Sequence, residues 1–367
     1  TKEPQNPSRS WVIPCSVLRA LLVAALIAGI LLAIFLPRGK DDSTPTPANS
    51  SGVEANSIQY HPFQEDLPPF LLKDIKETGS PLYLANIWMW NDPHLNAYSV
   101  QRQQQRFYLA SLYYATNGDH WLQNDHWLSY NISECEWFSS HSAEEYEMPF
   151  CDQDDHVISL SLASNNLTGT LTPHHPIVPL VHTIDFADNH LEGTIPSFQS
   201  SAHLEVLILS NNDLIGGVVG QGVMALDRLR VAKVNGNHLE GHYSSDILPL
   251  VLALEIFHTT DNLFGGHVAS EIGLCKNLTH YLTGENLVTG ILPSELGLLT
   301  NLEEISVAGS ASMTGTIPEE LGHLSKLVLL DVSGTWMTGP VPESICAHAE
   351  EGRLDVVANC SRIQCCP

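Results

Sequence analysis

Three stretches of this 367-residue chain carry residue types that can do chemistry. Gly220-Gln221-Gly222-Val223-Met224-Ala225 has the spacing G-x-G-x-x-A, in which glycines let the backbone approach a dinucleotide pyrophosphate. That chemistry needs a surrounding βαβ unit, and the segment lies instead inside a repeated phrase that has none. Cys151-Asp152-Gln153-Asp154-Asp155-His156 offers carboxylates and an imidazole to calcium or a transition metal, without EF-hand spacing or a second ligand cluster. It reads as a solvated acidic edge. Cys346, Cys360, Cys365 and Cys366 hold enough thiolates for zinc, but vicinal Cys365-Cys366 with no C-x-x-C spacing favours disulfides. The 18 histidines are scattered, His174-His175 falls in a loop, and H-E-x-x-H is absent. P-loop, kinase and nucleophile-elbow signatures are absent too. The sequence predicts no catalysis, no cofactor and no resident metal.

The elements that carry these residues are set by a repeat. Between Val157 and Pro342 one phrase recurs eight times, with polar anchors at Asn165, Asn189, Asn212, Asn237, Asn262, Asn286, Ser310 and Thr335, spaced 23 to 25 residues apart. A fixed period of that size marks stacked supersecondary units. In Ile184-Asp185-Phe186-Ala187-Asp188-Asn189-His190-Leu191-Glu192-Gly193-Thr194-Ile195-Pro196, aliphatic and exposed positions alternate as a short one-sided strand requires. The asparagine follows the strand, where its amide can bond the turn and neighbouring coils as a ladder. The glycine permits a tight turn, and Ile-Pro returns the chain extended along the far side.

These residues resemble the plant-type leucine-rich repeat, L-x-x-L-x-L-x-x-N-x-L-x-G-x-I-P, over about half the chain. The resemblance implies an α/β solenoid, a right-handed horseshoe with a parallel β-sheet on its concave face. Ala232 and Thr259 replace core aliphatics, Ser310 and Thr335 replace ladder asparagines, and one extra residue precedes Gly315. Local irregularity is expected over 308–315.

The formal net charge is -25, and beyond residue 40 there are 11 Lys and Arg against 40 Asp and Glu. Nucleic acid and anionic lipid are poor partners for such a chain. Ala20 to Leu36 is uncharged and mostly aliphatic, and with Val17, Leu18 and a snorkelling Arg19 it approaches the length of a membrane span. A cleaved signal peptide is the alternative; its apolar region is usually shorter. The sequence thus divides into a cytoplasmic tail (1–16, truncated), a transmembrane helix (17–36), a Ser/Thr/Pro stalk (37–57), a helical N-terminal cap (58–156), the repeats (157–342) and a Cys-containing C-terminal cap (343–367). N-x-Ser/Thr sequons begin at Asn49, Asn131, Asn166, Asn277 and Asn359, all after the apolar run, which places the C-terminal part outside the cell or in a lumen. The cysteines agree: Cys135 with Cys151, and the four from Cys346 onward including Cys360, sit at the two ends of the array as disulfide staples, while Cys275 lies within a repeat. The expected location is the plasma membrane, with the repeats extracellular.

Before the repeats the pattern is helical. Pro68-Pro69 opens one helix, Ser80-Pro81 caps a second that runs through Trp90, and Ser99 to Thr116 gives a third whose Phe107, Leu109, Leu112 and Tyr113 share a face. Trp121, Trp127, Cys135, Trp137 and Cys151 follow, an aromatic and disulfide plug for the first coil. The run Gln105 to Asp119 leading into these residues resembles the N-terminal cap of single-pass leucine-rich-repeat proteins of diatoms and, more loosely, the caps of plant receptor ectodomains.

In each repeat the residues six, four and two before the anchor should point to the concave surface. The middle coils then present Val206, Ile208, Val231, Ile256 and Leu282 with Lys233, His258 and His280. An apolar centre within a polar margin is the anatomy of a protein or peptide interface. His258 and His280 would titrate between about pH 5 and 7, weakening partner binding in acid. The expected function is membrane-anchored recognition of a protein, peptide or glycan with receptor-like signalling; adhesion or wall association, and inhibition of a secreted hydrolase, are the alternatives.

Overall fold

A computed structural model describes residues 69–137 and 150–364, apart from 172–177, 179, 197, 199–200, 218–225, 227 and 244–252. The apolar run 17–36, the stalk, Asn49, the Gly220–Ala225 fingerprint, and Cys365 and Cys366 lie outside these residues. Among the described residues no helix is long and apolar enough to cross a membrane.

Nine strands of three residues form one parallel sheet: β1 Ser159–Ser161, β3 Thr183–Asp185, β5 Val206–Ile208, β7 Val231–Lys233, β9 Ile256–His258, β11 His280–Leu282, β13 Glu304–Ser306, β15 Leu329–Asp331 and β17 Asp355–Val357. Each strand pairs in register with the strand of the next coil, for example Thr183↔Val206, Ile184↔Leu207 and Asp185↔Ile208. Such short strands are stable only as an array, because each coil buries its apolar side against its neighbours. The middle residue of each strand points into the solenoid, and Ile184, Leu207, Tyr281, Ile305 and Leu330 there are fully buried.

The chain leaves each strand through one tight bend. The residue just before the anchor has positive φ in all eight copies: Ser164, Asp188, Asn211, Gly236, Asp261, Glu285, Gly309 and Gly334. That left-handed conformation favours Asp, Asn and Gly, which fill most of these positions. The anchor amide then clamps two coils. Asn237 Nδ2 donates to Val234 O (3.0 Å) in its own coil and Leu209 O (3.0 Å) in the preceding one, while its Oδ1 accepts from Leu214 N (3.1 Å). Asn189, Asn212, Asn262 and Asn286 repeat this pattern. At the first rung Asn165 accepts instead from Gln123 N (2.6 Å), so the cap supplies the missing coil.

On the far side, five further strands pair in parallel, β2 Thr168–Thr170, β4 His190–Thr194, β6 Asp213–Gly217, β8 His238–His242 and β10 Leu263–Gly265. Beyond them the pairing breaks into β12 Thr289–Gly290 with β14 Ser312–Met313, and β16 Gly339–Pro340 with β18 Ile363–Gln364. The back of these later coils is built from single 3-10 turns at Ser270–Leu274, Ser294–Leu298 and Glu319–His323. At the two substituted anchors the ladder is not made: Ser310 Oγ is buried without a hydrogen-bond partner, and Thr335 Oγ1 bonds within its own coil, at Val332 O (2.7 Å) and Met337 N (3.4 Å).

The N-terminal cap comprises α1 Pro69–Asp74, α2 Pro81–Trp90 and α3 Val100–Ala115, with Ser80 and Ser99 accepting N-cap hydrogen bonds. Trp88, Trp121, Trp127 and Trp137 are all buried and pack ring against ring, with Trp121 and Trp127 4.7 Å apart. Cys135 and Cys151 are joined by a disulfide with Cα atoms 5.7 Å apart. At the other end, helix α4 Glu343–Glu350 precedes β17, so the C-terminal cap contributes a ninth coil that lacks the repeat phrase. Cys346 and Cys360 are both disulfide-bonded, whereas Cys275 is buried and takes part in no disulfide.

Candidate functional site

Because the middle residue of each strand is inward, its two neighbours form two columns on the outer face of the nine-stranded sheet. The observed register aligns Ser159, Thr183, Val206, Val231, Ile256, His280, Glu304, Leu329 and Asp355 in one column. Ser161, Asp185, Ile208, Lys233, His258, Leu282, Ser306, Asp331 and Val357 form the other. All eight sequence-derived face residues therefore do fall on adjacent strands of one surface.

Their exposure is uneven. Val206, Ile208 and Val231 are 7%, 7% and 3% exposed and pack on one another, with Ala187 and Ile256 beside them, as a cluster separate from the interior core. The expectation that these three are presented to solvent is corrected: β-branched side chains at strand spacing close over each other. Thr183 and Asp185 on β3 are buried as well. From β9 onward the face opens. Ile256, His258, His280, Leu282, Glu304, Leu329 and Asp331 are half-buried, and Asp355 and Val357 are exposed.

Solved structures place this geometry. The ectodomain of the plant membrane receptor kinase GASSHO1/SCHENGEN3 from Arabidopsis thaliana, in complex with CASPARIAN STRIP INTEGRITY FACTOR 2, matches 66% of this chain with 28% identity and a TM-score of 0.52. The array is a leucine-rich-repeat solenoid. The chain spans only 30% of that ectodomain's length. A plant ice-binding protein shares the fold, with a TM-score of 0.55 and 21% identity over 70% of this chain and 77% of its own. No protein-family model and no curated protein matches the sequence.

Electrostatics divide the face of the leucine-rich-repeat sheet. Burial raises the Asp185 carboxyl, a rise opposed by its hydrogen bond from Ala187 N and by the Lys233 charge. His258 is pushed down to about 4, first by burial and then by Lys233 and His280. The expectation that His258 titrates between pH 5 and 7 is corrected: the folded imidazole stays neutral throughout that range. His280 approaches Glu304 at 4.0 Å and Thr279 Oγ1 at 2.8 Å.

Outside the face, Asp152, Asp154 and His156 do come together, with one potential ligand atom from each within 4.8 Å of the others. Much of that carboxylate is already used, since Asp152 Oδ1 accepts from Asp154 N and His156 N and Oδ2 meets His156 Nδ1 at 3.1 Å. The His156 amide, against slight desolvation, holds the Asp152 carboxyl below its ordinary value. Of the sequons, Asn131, Asn277 and Asn359 are exposed; Asn166 is half-buried and donates to His120 O (2.9 Å).

One cluster escaped the sequence reading. Arg106, fully buried in α3, pairs with Glu134 (2.9 Å) and Asp92 (3.4 Å), and its guanidinium lies over the rings of Trp88, Tyr98 and Trp137. Burial pushes Glu134 up, but the Arg102 hydrogen bond and the charges of Arg106 and Arg102 hold its carboxyl below the ordinary range. Gln105 ties this cluster to the first coil, donating to Glu134 Oε1 (3.0 Å) and accepting from Val157 N (2.8 Å). The signal available was an arginine one turn from Leu109 and two turns from Tyr113 on the helix's apolar face. These contacts join the cap to the first coil.

Proposed function

We propose that this chain is an extracellular recognition protein, held to the membrane by residues 17–36, that binds an extended peptide or protein segment on strands β9 to β17 and passes that binding on as receptor-like signalling. The observation that carries the reading is the open half of the sheet face, where Ile256, Leu282 and Leu329 stand half-buried among His258, His280, Glu304 and Asp331. Apolar contacts of this kind supply affinity, and interleaved polar groups fix register. Five strands at about 4.8 Å spacing offer a track of about 19 Å, the length of roughly six extended residues. The receptor-kinase ectodomain with the same fold, found in complex with its factor, supports the reading by likeness.

The test is selection of a random linear-peptide library on the full chain, followed by titration of enriched peptides against Leu282→Arg and Ile256→Arg. The expected result is loss of roughly tenfold or more in affinity in both variants, about 1.4 kcal/mol. Enriched peptides that bind both variants as tightly as the parent would place recognition elsewhere and sink the reading.

A further inference from the structure

The open half of the sheet face is also electrically one-sided, and this says what its occupant must carry. On the closed half the acid and the base, Asp185 and Lys233, lie close enough to feel each other's charge. On the open half the column positions of β13, β15 and β17 hold Glu304, Asp331 and Asp355, with no lysine or arginine among the six. Among the described residues the Glu304 carboxylate pairs only with His280, at 4.0 Å, and Asp331 uses Oδ1 to accept from Ser333 N (2.9 Å). Leu329 and Val357 stand between the acids, so the surface alternates apolar and acidic positions.

Resting on the peptide reading above, we propose that the occupant is an extended peptide segment carrying a lysine or arginine that sits over Glu304, Asp331 and Asp355. Its apolar residues would lie on Leu282 and Leu329. Diagonal neighbours across paired strands are about 7–8 Å apart, within reach of one guanidinium or ammonium placed between them. A half-buried acid facing a partner gains most from a cation that arrives with its own apolar stem, as lysine and arginine do. The same charge excludes acidic segments, so the patch sets both preference and orientation, the basic end toward β17 and away from Lys233.

The experiment uses a library of short linear peptides in which Lys, Arg, Asp and Glu are encoded equally, selected in parallel on the full chain and on the double variant Glu304→Lys/Asp331→Lys. Expected is enrichment of Lys and Arg on the parent and of Asp and Glu on the variant, with parent-selected peptides losing roughly tenfold or more in affinity for the variant. Melting of the variant by circular dichroism reports its fold, and Asp355→Lys, at an exposed position, provides a second variant. Equal charge composition from both selections overturns the proposal. If Leu282→Arg still abolishes binding in that case, peptide recognition on this face stands and only the cationic requirement fails; if neither variant matters, both readings fail.

Discussion

The coils up to Asn286 and those after it are built from the same phrase but held together differently. In the earlier coils each asparagine amide spans two coils, and the back strands pair continuously from β2 to β10. In the later coils Ser310 Oγ has no partner, Thr335 bonds only its own coil, and the back pairing is reduced to two-stranded pieces. What replaces the ladder is close stacking of 3-10 turns. A Cβ on Gly297 would lie 2.6 Å from Glu320 O, a distance at which only glycine lets the two turns meet. The sheet face changes over nearby coils, closed at Val206, Ile208 and Val231 and open from Ile256 onward. A solenoid can thus change its means of stacking without changing its sheet register, and the two changes do not coincide: the face is already open on β9 and β11, whose anchors Asn262 and Asn286 still clamp two coils.

The sharpest way to break that contrast is to remove one rung. Asn237→Ala deletes the donors to Leu209 O and Val234 O and strands the buried Leu214 N–H. An unpaired buried donor costs about 1–3 kcal/mol, and with the lost donated bonds the expected destabilisation is about 2–4 kcal/mol. Urea unfolding of the parent and variant measures it; a change within error would mean that the ladder does not carry the early coils.

The later coils should break at a different residue. Gly297→Ala forces its new methyl against Glu320, whose Cβ and O lie 2.6 Å away and whose carbonyl carbon lies 2.7 Å away. Backbone cannot yield cheaply, so the expected cost is about 1–3 kcal/mol, as for other overpacked sites. Proteolysis at rising urea should show the region after residue 290 opening first in this variant. A uniform loss across the chain would argue that the two halves share one mode of stacking.

Much of this was legible in the residues and some was not. The period, the anchors and both face columns follow from alternation, because register in a parallel coil is fixed by the repeat itself. The left-handed residue before each anchor was readable too, in the run Ser, Asp, Asn, Gly, Asp, Glu, Gly, Gly, but only once aligned by column. The buried state of Val206, Ile208 and Val231 was not, since exposure depends on how neighbouring side chains close over one another. The neutral state of His258 has the same origin: an ordinary imidazole value holds only in water, and burial beside Lys233 pulls it to about 4. The sign follows for stability. An unfolded chain binds that proton near its ordinary value and the fold does not, so His258 makes the protein lose stability as pH falls from about 6.5 toward 4. The Arg106 joint and the ninth coil escaped because neither has a phrase of its own. One is a long-range pair of charges, the other a strand without an anchor.

The smallest expected effect tests the contrast from its silent side. Ser310 occupies the anchor column, is fully buried, and makes no hydrogen bond through Oγ. A serine hydroxyl is one atom shorter than an asparagine amide and falls short of the preceding coil; the Thr335 hydroxyl still reaches Val332 O of its own bend, whereas Ser310 Oγ makes no such bond. A buried hydroxyl without a partner carries a desolvation cost and gives nothing back. Ser310→Ala should therefore change stability by no more than about 0.5 kcal/mol, with stabilisation the favoured sign. Side by side with Asn237→Ala in the same urea titration, the pair measures what an anchor is worth when it clamps and when it does not. A loss at Ser310 as large as at Asn237 would mean that the column matters through packing volume alone, and that the amide bonds are incidental to the stack.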